Sequence, residues 1–497
     1  MKKFGDYTIR DVRKAGRIPG EAADMAAIKG DVTSGGIWRH VVTMSLPVML
    51  GMGLQNLYTV VDLFWVGRLG MGAVAAITIA GTLFFFFFSL GQAIGTGSLA
   101  IVSRAFGRRN FEHAAHTVRN TLFMGAAVGL FFGGASFLFA EPIITALGGS
   151  GEVVELGAAY LRPYAFGFAF QIVSLVLGFA LRGSGDMKAP TYSLMIATLI
   201  NIALDPLLIF GWGPIPAMGV AGAGLATMIS TLFSAVYVVA VISAGKSNLH
   251  VPFSTDFKPD WPLIKEVFKI GAPSGAQFML LSFSFMVIIW IVADKGAGPV
   301  AAAGIGWRLM HMSLAPVIGI GTAVATLVGQ NLGVEKVSRA SSSVKKGVLA
   351  SVLCAGVISV TFAAFPDFFI GFFSDSREVV ALGRAVMRAM AFNGVVLGVV
   401  IVLNSAFGGA GDNVPSMIGA SVRSFFSVGL AFLLPAVTPF GLTAVWASIP
   451  IASFANMLIL LHIYRKGSWK TRMKKREEAY CASGSAVAGP CSLPPPD

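Results

Sequence analysis

One hydrophobic stretch carries the first side chains with chemistry to do. Pro47 to Gly67 runs PVMLGMGLQNLYTVVDLFWVG and holds a single carboxylate, Asp62, expected near its middle. Gln55, Tyr58, Thr59 and Asp62 fall at i, i+3, i+4 and i+7, one face of a helix. About twenty apolar residues span a bilayer as a helix. An acid inside such a span costs roughly 2.5–3.5 kcal/mol on insertion scales, so it marks a functional position by default. The stripe has to face a cavity or another helix, because lipid offers it no partner. A second stripe is Thr198, Asn201 and Asp205, spaced three and four apart. Carboxylate, amide and hydroxyl oxygens are the hard donors that a proton or a small cation needs. Each residue also has a plainer role. Thr198 and Asn201 suit hydrogen bonds between packed helices, and Asp62 suits a structural acid paired with a neighbour. Asp205 suits a membrane surface, since Pro206 and Gly211 end its apolar run.

The elements that must position these residues follow from composition. The chain has 497 residues, is 55% hydrophobic and only 12% charged, with a mean hydropathy of +0.76. A charged fraction about half the soluble norm excludes soluble globular classes. The net charge of +13 does not indicate nucleic acid, because the basic residues lie between and beyond the apolar runs. Twelve spans are expected, over roughly 41–67, 73–101, 118–140, 156–180, 190–211, 219–244, 263–293, 300–328, 346–370, 383–407, 414–436 and 441–464. The predicted fold is all-α membrane, twelve transmembrane helices in two pseudo-symmetric six-helix bundles. Residues 1–38 form a cytoplasmic tail without a signal peptide and 39–245 the first lobe. Residues 246–262 form a cytoplasmic loop, 263–466 the second lobe, and 467–497 a basic, then disordered tail. Most of the 37 Lys and Arg then lie on the side of the termini, which makes that side cytoplasmic by the positive-inside rule. Three cysteines, Cys354, Cys481 and Cys491, give no disulfide framework and no metal spacing.

The chain repeats itself. One shift of 226 residues places Pro47 on Pro273, Gly95-Thr96 on Gly321-Thr322, Val102–Gly107 on Val328–Gly333, and Gly185-Asp186 on Gly411-Asp412. An even number of spans per half makes the halves parallel repeats, with a substrate site expected between them. The same shift puts Asp62 on Ile288, Asn201 on Ser427 and Asp205 on Ala431. The intramembrane acid therefore belongs to the first lobe alone.

Other features point to packing. Gly125, Gly129 and Gly133 recur every fourth residue, a close helix contact. The Phe84 to Phe88 run goes all round its helix and cannot all line a cavity. Tyr58, Trp65, Tyr160, Phe166, Met310 and Met312 are candidates for an adaptable chamber wall. His311 is expected to be packed and hydrogen-bonded. Arg and Lys are expected to avoid the span centres.

Several segments together resemble the multidrug and toxic compound extrusion (MATE) family over about residues 40–465. They are Arg182–Asp186 through Asp205-Pro-Leu-Leu-Ile-Phe-Gly211, Gly219-Val-Ala-Gly-Ala-Gly-Leu-Ala-Thr227, Leu327–Gly333, and Gln55-Asn56 with Asp62 and Val66-Gly67. The resemblance implies a cation-coupled antiporter exporting organic cations or amphipathic drugs, with H+ or Na+ as coupling ion and no cofactor. In the DinF-like branch a first-span Asp is the coupling site, and Asp62 matches it, joined by Asn201, Asp205 and Thr227. Any sodium would sit at those four residues. Gln55, Asn56, Tyr58, Thr59 and Thr198 are the implied substrate-facing positions, and Pro47 the point where span one bends. The NorM-like branch places acids in span seven, where this chain has Gln277 and an apolar run. That departure favours the DinF-like branch.

Three other classes would leave different marks in the sequence. A lipid-linked precursor or metabolite flippase of the wider superfamily needs basic residues within the spans. An intramembrane enzyme needs an Asp-rich or paired catalytic motif, and there is no DDxxD, HExxH or GxSxG. A receptor or scaffold would leave the buried acids unexplained. The expectation is a non-enzymatic exporter of the cytoplasmic (inner) membrane, in contact with small molecules and lipids but not nucleic acid. It is expected as a monomer, since two lobes enclose a cavity without a partner.

Overall fold

The computed structural model describes residues 32–252, 257–373, 376–439, 441–472, 474, 476 and 478, with all their side chains except those of 58–60, 63 and 297. The N-terminal lobe is built from α1 (Ile37–Gly67), α2 (Met71–Gly107), α3 (Phe111–Leu138), the short α4 (Ala140–Ala146), α5 (Glu152–Gly183), α6 (Lys188–Phe210) and α7 (Gly219–Ser243). The C-terminal lobe follows with α8 (Trp261–Ala293), α9 (Ala297–Gly333), α10 (Val337–Ala364), the short α11 (Pro366–Gly371), α12 (Arg377–Gly409), α13 (Val414–Val437) and α14 (Leu442–Lys466). Among the described residues twelve helices are long and apolar enough to cross a membrane.

Several helices run past the expected spans. The run expected over 73–101 is helical to Gly107, through Arg104. Hydropathy marks where hydrocarbon ends, and a helix continues beyond it: 37 residues reach about 55 Å, against a hydrocarbon core of about 30 Å.

The repeat appears as backbone. Shifting α2 by 226 gives α9, and shifting α3 gives α10, residue for residue. Gly70 and Gly296, Arg109 and Glu335, and Gly185 and Gly411 are pairs with positive φ at the same shift. The Gly-Asp motif is a helix-start device. Gly185 makes the left-handed turn, and the Asp186 carboxylate accepts from the Lys188 and Ala189 amides at 2.9 and 3.0 Å, covering amides that no helical carbonyl reaches.

The lobes cross-brace each other, α1 packing on α9 and α2 on α8. Glycines set the spacing. A Cβ on Gly97 would overlap the Val267 carbonyl oxygen, and one on Gly271 the Ala93 carbonyl oxygen. Thr326 Oγ1 donates to the Arg182 carbonyl at 2.8 Å and Gln330 Nε2 to the Gly183 carbonyl at 2.9 Å. The core clusters drawn from both lobes lie in the half nearer the chain termini. Those toward the opposite end draw on one lobe each. Phe88 against Phe278, 4.9 Å between centroids, stands near the limit of the seam. The lobes therefore meet on the terminus side and diverge beyond it, leaving a cleft.

The loop between lobes is tied to both. Asp260 caps α8 through the Leu263 amide at 3.1 Å, its other oxygen lies 3.0 Å from His116 Nε2 on α3, and its own amide donates to Asn120 Oδ1 at 2.8 Å. The expected tails fall mostly outside the described residues. So do Cys481 and Cys491.

Candidate functional site

α1 and α6 lie together because α1 offers a small residue there. A Cβ on Gly51 would stand 3.2 Å from the Thr191 side chain of α6. Gly51, Gln55 and Asp62 continue one helical face, so the acid points the same way. α7 comes close to α6 and α5 for a similar reason. A Cβ on Gly222 would overlap the Leu208 carbonyl oxygen, and one on Gly224 the Tyr160 carbonyl oxygen. The glycines of the Gly219–Thr227 segment are thus contact points, and they bring Thr227 against α6.

The resulting cluster is oxygen-rich and dry. Asn201 and Asp205 are 1% and 0% exposed. Asn201 Nδ2 donates to Thr227 Oγ1 at 3.5 Å, and Thr227 Oγ1 donates to the Ala223 carbonyl at 3.0 Å. The Asp205 carboxyl faces that of Asp62, each acting on the other, and neither Asp205 oxygen has a donor among the described residues. Asn201 Oδ1 is also without a donor. Pro206, next along α6, has no N–H, so the Ile202 carbonyl loses its helical partner. Three buried acceptor atoms without donors are what a bound proton or cation would satisfy, since buried polar atoms are otherwise paired.

Sequence reasoning missed Tyr164 and Gln171. Tyr164, on α5, is buried and lies in the field of Asp62, while its hydroxyl donates to Gln171 Oε1 at 2.7 Å. The available signal was two polar groups seven apart in an apolar span, the same signal used for α1.

Other expected positions divide. Thr198 is buried on the Asn201 face, so the structure brings it to the cluster but not to an open surface. Gln55 and Asn56 are half-buried on α1. The side chains of Tyr58 and Thr59 lie outside the described residues. α1 runs through Pro47 as one helix. Asp62 stands five residues from the end of α1 and Asp205 five from the end of α6, so the pair sits toward the mouth of the cleft, not at mid-span. Met310 is buried and receives Asn393 Nδ2 at 3.4 Å. Phe166 is exposed against Phe137 of α3. Neither is placed at a chamber wall.

Two expectations need correction. His311 is exposed and makes no hydrogen bond among the described residues; its ring lies 4.7 Å from that of Trp307. Basic residues do not avoid the span interiors: Arg308 and Arg423 lie well inside α9 and α13. Both fall inside the expected spans 300–328 and 414–436, so the chain itself carried this signal.

At the matching C-terminal positions the chemistry is gone. Ile288 and Ala431 lie in one apolar core cluster, and Ser427 bonds Ser284 at 3.0 Å. One scaffold therefore carries a polar cluster in one lobe and a dry contact in the other.

The MatE family model matches residues 47–207 and 273–433, two segments offset by the same 226 residues as the internal repeat. The chain belongs to the MatE family. This MatE chain is 27% identical over 446 residues to the probable multidrug resistance protein YoeA of Bacillus subtilis (strain 168), covering 88% of this chain and 96% of that one. It is 24% identical to the multidrug export protein MepA of Staphylococcus aureus (strain MSSA476), covering 86% and 94%. Its fold matches an outward-facing multidrug resistance MATE transporter with a TM-score of 0.82 at 22% identity, over 88% of this chain and 98% of that one. A MATE structure in the bent conformation matches with a TM-score of 0.80, again at 22% identity, over 92% and 98%. The MatE chain is thus a multi-pass membrane protein of two six-helix lobes.

Proposed function

We propose that this MatE protein is a secondary active exporter of the DinF-like branch, exchanging cytoplasmic organic cations or amphipathic drugs for protons or sodium. The observation that carries the reading is the set of donor-less oxygens on Asn201 and Asp205, with the Asp62 carboxyl beside that of Asp205. The termini side is cytoplasmic, so the cleft faces outward, and the membrane is the inner one. The relatives' names, with their multidrug resistance and export, support the substrate class.

Coupling follows from competition for charge. A carboxyl pair in a dry lobe needs a proton, a metal cation or a cationic substrate beside it. An ion loaded from outside displaces the drug outward, and drug bound from inside expels the ion. Each ligand shifts the equilibrium only by its different affinity for the two facing states. Pro47, which removes one hydrogen bond from α1, supplies the weak point at which that helix bends.

The test is dye efflux from proteoliposomes under an imposed pH or sodium gradient, wild type against Asp62→Asn. Efflux driven by one gradient and absent in the variant is the expected result. Equal efflux from well-folded Asp62→Asn would sink the assignment.

A further inference from the structure

α9 is the most enclosed of the twelve spans, yet it keeps an exposed stripe toward the divergent end that includes Ala301, Gly304, Arg308 and His311. Continued toward the termini at helical spacing, that face becomes the seam. Gly319 approaches the Ser45 carbonyl, Thr326 bonds Arg182, and Gly329 meets Ser103. The face that touches the N-terminal lobe below therefore looks across the cleft above, and Arg308 and His311 are on it.

Arg423 of α13 joins them. His311 stands fourteen residues from the cleft end of α9 and Arg423 fourteen from the same end of α13, both roughly 21 Å in at 1.5 Å per residue. Arg423 is half-buried on α13, and its guanidinium lies near enough to the His311 ring to act on it electrostatically. Among the described residues neither Arg308 nor Arg423 has an ion-pair partner, and the only carboxylates on the spanning helices of this lobe are Glu266 and Glu378, near helix ends. Trp307 beside His311 stacks on Phe285 at 3.8 Å, giving the basic group an aromatic floor.

Guanidinium groups on spanning helices without carboxylate partners are expensive to keep unless a ligand brings the anion. They also match carboxylate and phosphate geometry. We infer that Arg308, His311 and Arg423 form an anion subsite in the C-terminal wall of the cleft, receiving the carboxylate or phosphate of an amphiphilic molecule whose apolar part lies on Trp307 and Phe285. This rests on the export reading for its place in a transport cycle and narrows it: zwitterionic or anionic amphiphiles are substrates, and the lobes divide the labour, cation to the first and anion to the second.

The experiment compares a rhodamine carrying a free carboxylate with its ethyl ester, binding to full-length protein in neutral phosphatidylcholine nanodiscs by fluorescence anisotropy. Arg308→Gln and Arg423→Gln each weaken the carboxylate probe about tenfold and leave the ester within about twofold, as loss of a charge-assisted contact requires. Arg384→Gln, which removes only an exposed pair with Asp367, changes neither. Equal weakening of both probes, or no change in either, overturns the subsite. Should Arg423→Gln not fold, Arg308→Gln on the exposed stripe decides alone. Octanoate and octyl phosphate as competitors rank the two anionic groups, and displacement by them that is indifferent to Arg308→Gln counts against the proposal. Gradient-driven ester efflux reports the export reading separately. If the ester is not moved while carboxylate binding still depends on Arg308, export falls and the subsite stands.

Discussion

The carboxyl of Asp205 on α6 faces that of Asp62 on α1, and no donor satisfies either Asp205 oxygen. A ligand that supplies positive charge there stabilises the folded protein by an amount set by its concentration over its Kd. Purified wild type is expected to melt higher in sodium than in choline chloride if sodium is the ion. If the proton is the ion, the two salts give the same melting temperature and only pH moves it. Asp62→Asn abolishes a sodium response, and for the proton it removes only the part of the pH response that this carboxyl contributes. A response of unchanged size in the variant would remove Asp62 from the ion site.

Tyr164 tests the neighbourhood of that pair. Tyr164→Phe deletes the hydroxyl that bonds Gln171 and stands in the field of Asp62. A net loss of about 0.5–1.5 kcal/mol in stability is expected from one hydrogen bond, together with several-fold slower gradient-driven efflux. Efflux equal to wild type would reduce Tyr164 to a packing residue.

The seam between lobes makes a sharper mutational contrast. A Cβ on Gly271 would overlap the Ala93 carbonyl oxygen, while one on Gly356 of α10 meets nothing within 4 Å. Gly271→Ala is expected to cost about 1–3 kcal/mol by overpacking. Gly356→Ala is expected to gain about 0.5–1 kcal/mol from helix propensity. Thermal unfolding of the two variants checks the pair, and a stabilising Gly271→Ala would mean the lobes do not close at this point.

Asp412 gives a pH prediction at the terminus side. Its carboxylate is fully buried and lies 3.2 Å from Arg472 Nη1. Burial pushes its pKa above the ordinary Asp value, with Arg472 and Arg476 pulling the other way. An acid with a raised folded-state pKa binds its proton more readily when folded, so its contribution to stability grows as pH falls through the folded value toward the unfolded one. Between neutral pH and about pH 4.5, still above the unfolded value of about 3.9, wild type is expected to gain stability relative to Asp412→Asn. A difference that stays flat or falls on acidification would contradict the buried-carboxyl account.

Much of this was written in the chain. Lipid excludes unpaired polar backbone, so apolar runs had to be helices and their number could be counted. Gly185-Asp186 and Gly411-Asp412 repeat because a left-handed turn followed by a helix start tolerates few residue types, and the same holds for the other markers of the 226-residue shift. Asp62, Asn201 and Asp205 were visible because a carboxylate or amide in a span is costly enough to stand out.

What the sequence left undecided depends on which faces meet. Tyr164 and Asp62 are about a hundred positions apart, and only the packing of α5 and α1 puts them in one field. The glycines at Gly97, Gly271 and Gly329 looked like any others in a Gly-rich chain; the crossing of the two lobes made them the seam. His311 and Arg423 had no visible relation until α9 and α13 placed them at one depth. Periodicity fixes the face a residue occupies along its own helix. Only tertiary packing decides whether that face meets lipid, a neighbouring helix or the open cleft, because the choice is made by partners far away in the chain.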